Sequence, residues 1–267
     1  IESIMTGSYH NIYNNWRSDP QRFWADAAQS IDWITPCQKI LEEDKAPFYT
    51  WFPGGMVNVC HNSIDRHILA GRGEQAALIY DSPVAHLKKT YSYNDLLDKV
   101  SRLAGGFRSL GVEKGDRVVI YMPMIPEAVF AMLACARIGA IHSVVFGGFA
   151  DTELAKRIDD AKPKLIVSAS NGIEPNRIVE YKPLLDSAID HATHKVDHCV
   201  IFEREGMEVE LKSPRDIDGQ KLMDMSDPVD CVPVESDHPL YILYTSGTTG
   251  IPKGVVRDSG GYMVALT

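Results

Sequence analysis

A run of eleven residues near the end of the chain concentrates groups that bind phosphate. It reads Tyr244-Thr-Ser-Gly-Thr-Thr-Gly-Ile-Pro-Lys-Gly254. Its glycines allow backbone conformations that turn successive N–H groups toward one centre. Its hydroxyls add hydrogen-bond donors, and its lysine adds a full positive charge on a flexible stem. The residues predicted to bind phosphate are Thr245, Ser246, Gly247, Thr248, Thr249, Gly250 and Lys253.

This run differs from the P-loop of nucleoside triphosphatases, whose pattern is G-x-x-x-x-G-K-[ST]. Starting at Gly247, that pattern requires glycine at position 252, where this chain has Pro252. The alternative interpretation is a surface turn, which most Ser/Thr/Gly-rich clusters form. We favour a binding loop because an apolar strand, Leu240–Tyr244, is predicted directly before it. The loop then opens at the carboxyl edge of a sheet, where α/β proteins bind ligands.

Apolar strands alternate with helical segments ahead of this loop. Strands are predicted at Ala76–Tyr80, Arg117–Met122, His142–Phe146, Lys164–Ser168 and His198–Phe202. Helices are predicted to begin at Ser92, Pro126, Asp151 and Lys182. Near-continuous apolar strands imply parallel neighbours that are covered on both faces. The predicted fold class is α/β, with a doubly wound, mainly parallel sheet and helices on both faces.

Composition divides the chain into three predicted regions. Residues 1–60, rich in aromatic residues and proline, are predicted to be an amino-terminal extension packed on the body, with one helix over Gln21–Gln29. Residues 61–239 are predicted to form an α/β subdomain, which ends in a polar connecting segment, Gly206–Asp237. Residues 240–267 are the strand and phosphate loop that open the next subdomain.

Charge and cysteine usage restrict the function classes. The net charge of −9 disfavours a nucleic-acid partner, because phosphate-backbone binding requires basic surface. No run of 18 apolar residues is present, so we predict no membrane span. The five cysteines are scattered and odd in number, which is typical of reduced thiols. We expect a cytoplasmic protein, or a mitochondrial-matrix protein if a transit peptide has been removed.

A metal site is not predicted. His191, His194, His198 and Cys199 have suggestive spacing, but the chain is predicted to leave the helix before His198. No second cysteine or carboxylate pair completes a tetrahedral set, so a solvated face is favoured. No nucleophile motif is present either, and no catalytic residue is predicted within this segment.

The run Tyr244–Gly254 resembles the signature loop of the adenylate-forming superfamily, which includes acyl-CoA synthetases, luciferases and peptide-synthetase adenylation domains. Segments that resemble the short-chain acyl-CoA synthetases in particular are Trp51–Asn58, Asp65–His67, Tyr121–Glu127 and Ala134–Phe149. Those that are closer to the propionyl-CoA than to the acetyl-CoA synthetases are Arg157–Pro163, Gly172–Pro175 and Val255–Asp258. The resemblance covers essentially the whole chain, but only the first part of a family chain.

The resemblance implies an activity. Members of the family join a carboxylate to the α-phosphate of ATP, release pyrophosphate and pass the acyl group to CoA. Residues 245–249 and Lys253 match the positions that handle the β- and γ-phosphates, and Mg²⁺ shares this task as the ion that accompanies ATP. The implied partners are a short-chain carboxylate (propionate or acetate), ATP, CoA and the remainder of the synthetase chain.

The resemblance also implies two CoA-binding segments. The first comprises Glu174, Pro175, Asn176 and Arg177. The second comprises Phe146, Gly147 and Gly148. Arg177 is expected to pair with the 3′-phosphate. Acetyl-CoA synthetases have a second arginine where this chain has Glu174, and a carboxylate there repels phosphate. The alternatives are a solvated surface arginine and, for the glycine pair, a strand-end turn that needs close packing.

Three hypotheses follow. The first is the amino-terminal part of a propionyl- or acetyl-CoA synthetase. The second is a non-catalytic nucleotide-binding or interaction module, since the family's adenine pocket, acid pocket and catalytic lysine come after the point matched by Thr267. On either reading we expect the segment alone not to turn over. The third is a luciferase-like ligase. This hypothesis is disfavoured because luciferase-like ligases share the loop but have no segments that resemble Trp51–Asn58 and His142–Phe149 of this chain.

Overall fold

The computed structural model describes residues 9–44, 46–204, 208–245 and 252–267. The chain divides into two units. The first comprises Ile1–Asn58, Pro233–His238 and Asp258–Thr267, and the second comprises Val59–Val232 and Pro239–Arg257. The predicted site residues that are described all belong to the second unit.

Helices of the described residues are numbered along the chain. The α-helices are α1 (Tyr9–Ser18), α2 (Pro20–Ala28), α3 (Arg66–Leu69), α4 (Tyr93–Ser109), α5 (Pro126–Ile138), α6 (Asp151–Ala161), α7 (Tyr181–His191), α8 (Gly219–Met225) and α9 (Ser259–Ala265). A π-helical turn, His61–Asp65, precedes α3, and a 3-10 turn covers Pro83–Ala85. Across the described part of the chain, no helix is long and apolar enough to cross a membrane.

Strands are numbered in the same way. They are β1 (Leu41–Glu42), β2 (Thr50–Trp51), β3 (Met56–Val57), β4 (Ala76–Ser82), β5 (Leu87–Ser92), β6 (Arg117–Met122), β7 (Ile141–Phe146), β8 (Leu165–Ala169), β9 (Asn171–Glu174), β10 (Arg177–Glu180), β11 (His198–Phe202), β12 (Asp216–Asp218), β13 (Val234–Glu235), β14 (Pro239–Thr245) and β15 (Lys253–Asp258). Most of the longer strands belong to the second unit.

The main sheet of the second unit has the strand order β12-β11-β8-β6-β7-β14-β15. All pairs from β12 to β14 are parallel. The central strands β6 and β8 are buried almost throughout, as expected for strands covered on both faces. The chain runs from β6 through α5 to β7, then returns through α6 to β8 on the other side of β6. Because such crossovers are right-handed, α5 and α6 lie on opposite faces, which confirms the doubly wound α/β fold.

Local signals set several boundaries as predicted. Ser92 and Asp95 form a reciprocal capping box at the start of α4. Pro126 is the first residue of α5, and Gly139 ends that helix in the left-handed conformation, with φ of 74°. Strands β6 and β11 have the predicted bounds. Helix α6 begins at Asp151, so this residue, which the sequence suggested as the N-cap, is the first helical residue and Ala150 is the N-cap.

Two segments differ more from the prediction. Strand β4 pairs antiparallel with β5, a strand that was not predicted, in a two-stranded sheet outside the main sheet. The stretch predicted as a polar connection contains β12, α8 and β13. Asp216 of β12 is buried and pairs with Lys182 of α7 at 2.9 Å. This ion pair allows a polar sequence to form an edge strand, since a buried charge needs a partner.

The first unit joins residues that are far apart in the sequence. Strand β3 pairs antiparallel with β13, and β1 with β2. The hydroxyl of Ser236 donates to the carbonyl oxygen of Phe52 at 2.7 Å. Helix α2 lies one residue before the predicted Gln21–Gln29, and the side chain of Asp19 caps it by accepting from the backbone N–H of Arg22 at 3.0 Å.

Candidate functional site

The carboxyl ends of β6, β7, β8 and β14 lie at one edge of the main sheet, because these strands are parallel to their neighbours. Phe146 ends β7, Ala169 ends β8 and Thr245 ends β14. The chain reverses its direction of winding at β6, with β7 on one side and β8 on the other. Open α/β sheets bind ligands outside such a point. All the predicted binding segments therefore follow strands that end at this edge.

The phosphate loop connects β14 to β15. Thr245 is the last residue of β14 and Lys253 the first of β15, and these strands are neighbours in the sheet. The Thr245 hydroxyl lies 3.5 Å from the carbonyl oxygen of Lys253, and the lysine is exposed. Ser246, Gly247, Thr248, Thr249 and Gly250 lie outside the described residues. The described ends of the loop therefore bring the Thr245 hydroxyl to the backbone of Lys253.

Tyr244 anchors the strand that leads into the loop. Its hydroxyl donates to Oδ2 of Asp160 at 2.6 Å. Burial and this bond raise the pKa of Tyr244 above its usual range, so the hydroxyl stays protonated at neutral pH. The guanidinium of Arg157 lies 5.6 Å from the centre of the Tyr244 ring and 4.5 Å from that of Phe149. One buried arginine therefore contacts both the phosphate-loop strand and the Phe146–Phe149 turn.

The predicted CoA segment around Arg177 is a β-hairpin. Strands β9 and β10 pair antiparallel, with Glu174 opposite Arg177 and Pro175 and Asn176 between them. Nε of Arg177 lies 2.7 Å from Oε2 of Glu174, and both side chains are exposed. The hydrogen bond from Arg177 lowers the pKa of Glu174 below its usual range. Glu174 therefore partly neutralises the arginine that was expected to meet a phosphate.

The second predicted CoA segment is a turn at the end of β7. Phe146 is 70% exposed. Its ring packs edge-to-face on the ring of Phe149, with the two ring centres 5.8 Å apart. A Cβ atom on Gly148 would lie 2.5 Å from the Phe146 ring, so a larger residue there would displace that ring. The hydroxyl of Tyr121 donates to the carbonyl oxygen of Phe149 at 2.9 Å, and burial raises its pKa to about 12. The turn presents an exposed aromatic ring on a fixed backbone.

The two predicted CoA segments meet at one side chain. The backbones of Gly147 and Gly172 both lie against the ring of Tyr181, the first residue of α7. Sequence reasoning identified the two glycine segments but neither Tyr181 nor Arg157. Tyr181 lies outside the segments that carry the family resemblance, whereas Arg157 begins one of them but was given no role in the site. The glycines were the available signal, because they indicate that another group approaches closely.

One cluster has metal-ligand chemistry among the described residues. The ligand atoms of Cys60, Asp65 and Cys231 lie within 4.8 Å of one another. Arg137 pairs with both carboxylate oxygens of Asp65, at 2.9 and 3.0 Å, and lies 3.4 Å from the sulfur of Cys60. A buried cation thus already balances this cluster, which is better explained as structural.

The histidines considered for zinc point to separate partners. His194 Nε2 lies 2.9 Å from the carbonyl oxygen of Pro163. His191 Nδ1 lies 3.8 Å from Asp151. His198 Nδ1 is buried without a hydrogen-bond partner among the described residues. The absence of a zinc site at these residues stays a prediction.

Comparison with protein families matches almost the whole chain. A family model described as AMP-binding enzyme matches residues 66–267. A second, described as Acetyl-coenzyme A synthetase N-terminus, matches residues 9–63.

Individual proteins extend this result. Acyl-CoA synthetase short-chain family member 3, mitochondrial, of Rattus norvegicus is 56% identical over 97% of this chain and 38% of its own length. Propionate--CoA ligase of Escherichia coli is 48% identical over 97% of this chain and 41% of its own. The solved structure of Acetoacetyl-CoA Synthetase from Streptomyces lividans matches with a TM-score of 0.87 and 26% identity, over 97% of this chain and 39% of that one. The chain therefore spans roughly two fifths of the length of these relatives.

Proposed function

Because the chain belongs to the AMP-binding enzyme family, we propose that it is the amino-terminal part of an acid–thiol ligase. The complete enzyme activates a short-chain carboxylate with ATP to acyl-AMP and pyrophosphate, then transfers the acyl group to CoA. The observation that carries the proposal is the sheet edge, where the loop after β14 and the CoA segments after β7 and β8 begin together. Two substrates that react in sequence need binding groups on one edge.

Residues of the loop act on the leaving pyrophosphate. Charge develops on it as the acyl–AMP bond forms, and aligned amides, hydroxyls and a cation stabilise that charge. Thr245, Ser246, Gly247, Thr248, Thr249 and Gly250 supply the amides and hydroxyls. Lys253 supplies the cation from the start of β15. Mg²⁺ enters with ATP as its counter-ion.

The CoA segments receive the thiol substrate. In the absence of CoA, Arg177 pairs with Glu174. When CoA binds, Arg177 leaves Glu174 and pairs with the 3′-phosphate. Pro175 and Asn176 form the hairpin tip beside it. Phe146, Gly147 and Gly148 form the opposite wall, to which Phe146 contributes an exposed ring. These assignments are supported by the common sheet edge.

We infer propionate as the preferred acid and acetate as the alternative. The support is the 48% identity to a relative named Propionate--CoA ligase. The compartment stays a prediction, cytoplasm or mitochondrial matrix; the mammalian relatives include "mitochondrial" in their names. Since the chain spans 38% of the rat relative, we propose that this segment alone forms no acyl-CoA. As the second candidate function, it binds nucleotide without catalysis.

The test uses the full-length protein that carries this segment. Exchange of labelled pyrophosphate into ATP is measured with propionate, with acetate and without acid. We expect exchange that depends on the acid and is faster with propionate. Absence of acid-dependent exchange with both acids contradicts the proposed activity. Acyl-CoA formation by residues 1–267 alone contradicts the proposal for the segment, while ATP binding without product supports the second candidate.

A further inference from the structure

Tyr181 lies between the two segments that we assign to CoA. It begins α7 and is 6% exposed. A Cβ atom on Gly147 would lie 2.3 Å from the Tyr181 hydroxyl oxygen, and a Cβ atom on Gly172 would lie 2.7 Å from it. Both segments have glycine where the tyrosine approaches, because any larger residue displaces either the ring or the backbone.

The position of this ring is fixed from several elements. The backbone N–H of Tyr181 donates to the carbonyl oxygen of Ser170 at 3.0 Å, directly after β8. Its ring centre lies 5.2 Å from that of Tyr121 in β6. The next residue, Lys182, is 5% exposed and pairs with Asp216 at 2.9 Å. The start of α7 is therefore held to β6, to the residue that follows β8 and to β12, all of which belong to or adjoin the main sheet.

Neither CoA segment is positioned by the main sheet alone. Strands β9 and β10 form a two-stranded sheet of their own. The other segment is a turn beyond the end of β7. A rigid side chain that contacts both can set the distance between them, because protein interiors are close-packed and transmit small displacements.

We propose that Tyr181 is a positioning residue for CoA. Its ring sets the spacing between the Phe146–Phe149 turn and the β9–β10 hairpin, and so the width of the groove that receives the nucleotide end of CoA. This inference rests on the proposed function. It assigns no chemistry to Tyr181, which acts through Gly147 and Gly172.

The experiment separates CoA binding from adenylation in the full-length protein. The KM for CoA is measured in acyl-CoA formation, and acid-dependent pyrophosphate exchange is measured without CoA. We expect Gly147→Ala and Gly172→Ala each to raise the KM for CoA about tenfold, because small misplacements of binding groups are costly. Their exchange rates stay near that of the wild type. Tyr181→Phe removes the hydroxyl oxygen that approaches both glycines but keeps the ring, so it should raise the KM for CoA by a smaller factor than either glycine variant.

A rescue variant distinguishes spacing from general damage. In Gly147→Ala/Tyr181→Leu, the smaller leucine makes room for the added methyl group, so the KM for CoA falls back toward the wild-type value. The matched control is Gly106→Ala in α4, whose Cβ would lie 2.7 Å from Leu222, the same crowding as at Gly172. It should lower stability and leave the KM for CoA unchanged.

Each outcome decides the proposal. An unchanged KM for CoA in both glycine variants overturns it, as does an equal rise in Gly106→Ala or a double variant that is no better than Gly147→Ala. If Gly147→Ala does not fold, Gly172→Ala and the double variant make the same comparison. Absence of acid-dependent exchange in the wild-type protein overturns the proposed function itself. If the wild type shows exchange but both glycine variants keep the wild-type KM for CoA, only the role of Tyr181 is overturned.

Discussion

The phosphate-loop side of the sheet edge and the CoA side are built in different ways. The loop is one contiguous run between neighbouring strands, and its described ends, Thr245 and Lys253, lie in contact. The CoA side is assembled from three places in the chain: the Phe146–Phe149 turn, the β9–β10 hairpin and the Tyr181 ring at the start of α7. On the phosphate-loop side, the residues that bind the phosphates also position them. On the CoA side, positioning depends on a residue outside both binding segments.

This difference predicts how substitutions act. A change in the loop removes charge or a donor and should affect the phosphate chemistry directly. A change on the CoA side alters a spacing and should affect the affinity for CoA. Arg157 stacks on rings from both sides and should affect both.

Lys253→Ala should have the largest effect. Removing a cation from a developing charge should slow acid-dependent pyrophosphate exchange about 10²- to 10³-fold, with an unchanged KM for CoA. The measurement is exchange in the full-length protein. Lys88→Ala is the control, since this exposed lysine of β5 pairs with Asp81 at 3.0 Å in the two-stranded sheet outside the main sheet. A change of less than about threefold in Lys253→Ala would contradict the role of this lysine.

Arg157→Ala should affect both half-reactions moderately. Loss of stacking on Tyr244 and Phe149 should slow exchange and raise the KM for CoA, each about fivefold. Arg157→Lys keeps the charge but loses the planar stack, so it should restore little. Steady-state kinetics of both half-reactions make the comparison. An effect confined to one half-reaction would show that this arginine does not join the two sides.

Tyr244→Phe should lower the free energy of unfolding by about 1 kcal/mol at neutral pH, through loss of the bond to Asp160. Folding raises the pKa of Tyr244 above the ordinary tyrosine value of about 10, through burial and the bond to Asp160. Its stabilising contribution is therefore complete below pH 10 and is lost as the pH rises toward the folded-state pKa. Denaturant unfolding from pH 7 to 11 should show a smaller loss in Tyr244→Phe than in the wild type and in Tyr80→Phe, because the raised pKa of Tyr121 contributes equally in all three proteins. Parallel curves in all three proteins would argue against the bond.

Glu174→Gln should have the smallest effect. It removes the carboxylate that competes with phosphate for Arg177 and should lower the KM for CoA about twofold, as befits an exposed pair. The gain should vanish at high salt, because exposed charges are screened. Glu180→Gln makes the same charge change in the same hairpin and is the control. A raised KM for CoA in Glu174→Gln would mean that the carboxylate helps binding.

Much of the fold could be predicted because its signals are local. Ser92 with Asp95 fixes one helix start, and Pro126 and Gly139 fix both ends of another. Strand β5 was missed because its sequence, Leu-Lys-Lys-Thr-Tyr-Ser, is polar and its stability comes from pairing with β4. Strand β12 was missed because its buried aspartate depends on a lysine in another helix. The predicted region boundaries at residues 60 and 239 stay predictions.

The candidate site shows the same contrast between features that are local in the sequence and features that depend on distant residues. The loop could be identified because its donors and its cation are consecutive in the sequence. Glu174 and Arg177 were both identified, but their pairing depends on the hairpin that places them opposite each other. Tyr181 and Arg157 could not be identified, since nothing in the sequence relates them to the residues they contact. The glycines indicate a close approach without telling what approaches.

The most direct test of two separable sites on one edge is a double-mutant cycle of Lys253→Ala and Gly147→Ala in the full-length protein. Exchange rate and KM for CoA are measured for all four proteins. The account predicts that Lys253→Ala lowers exchange without moving the KM for CoA, that Gly147→Ala does the reverse, and that the effects combine independently. If Gly147→Ala slows exchange as much as Lys253→Ala does, or both raise the KM for CoA equally, the two sites are not separate and the account is contradicted.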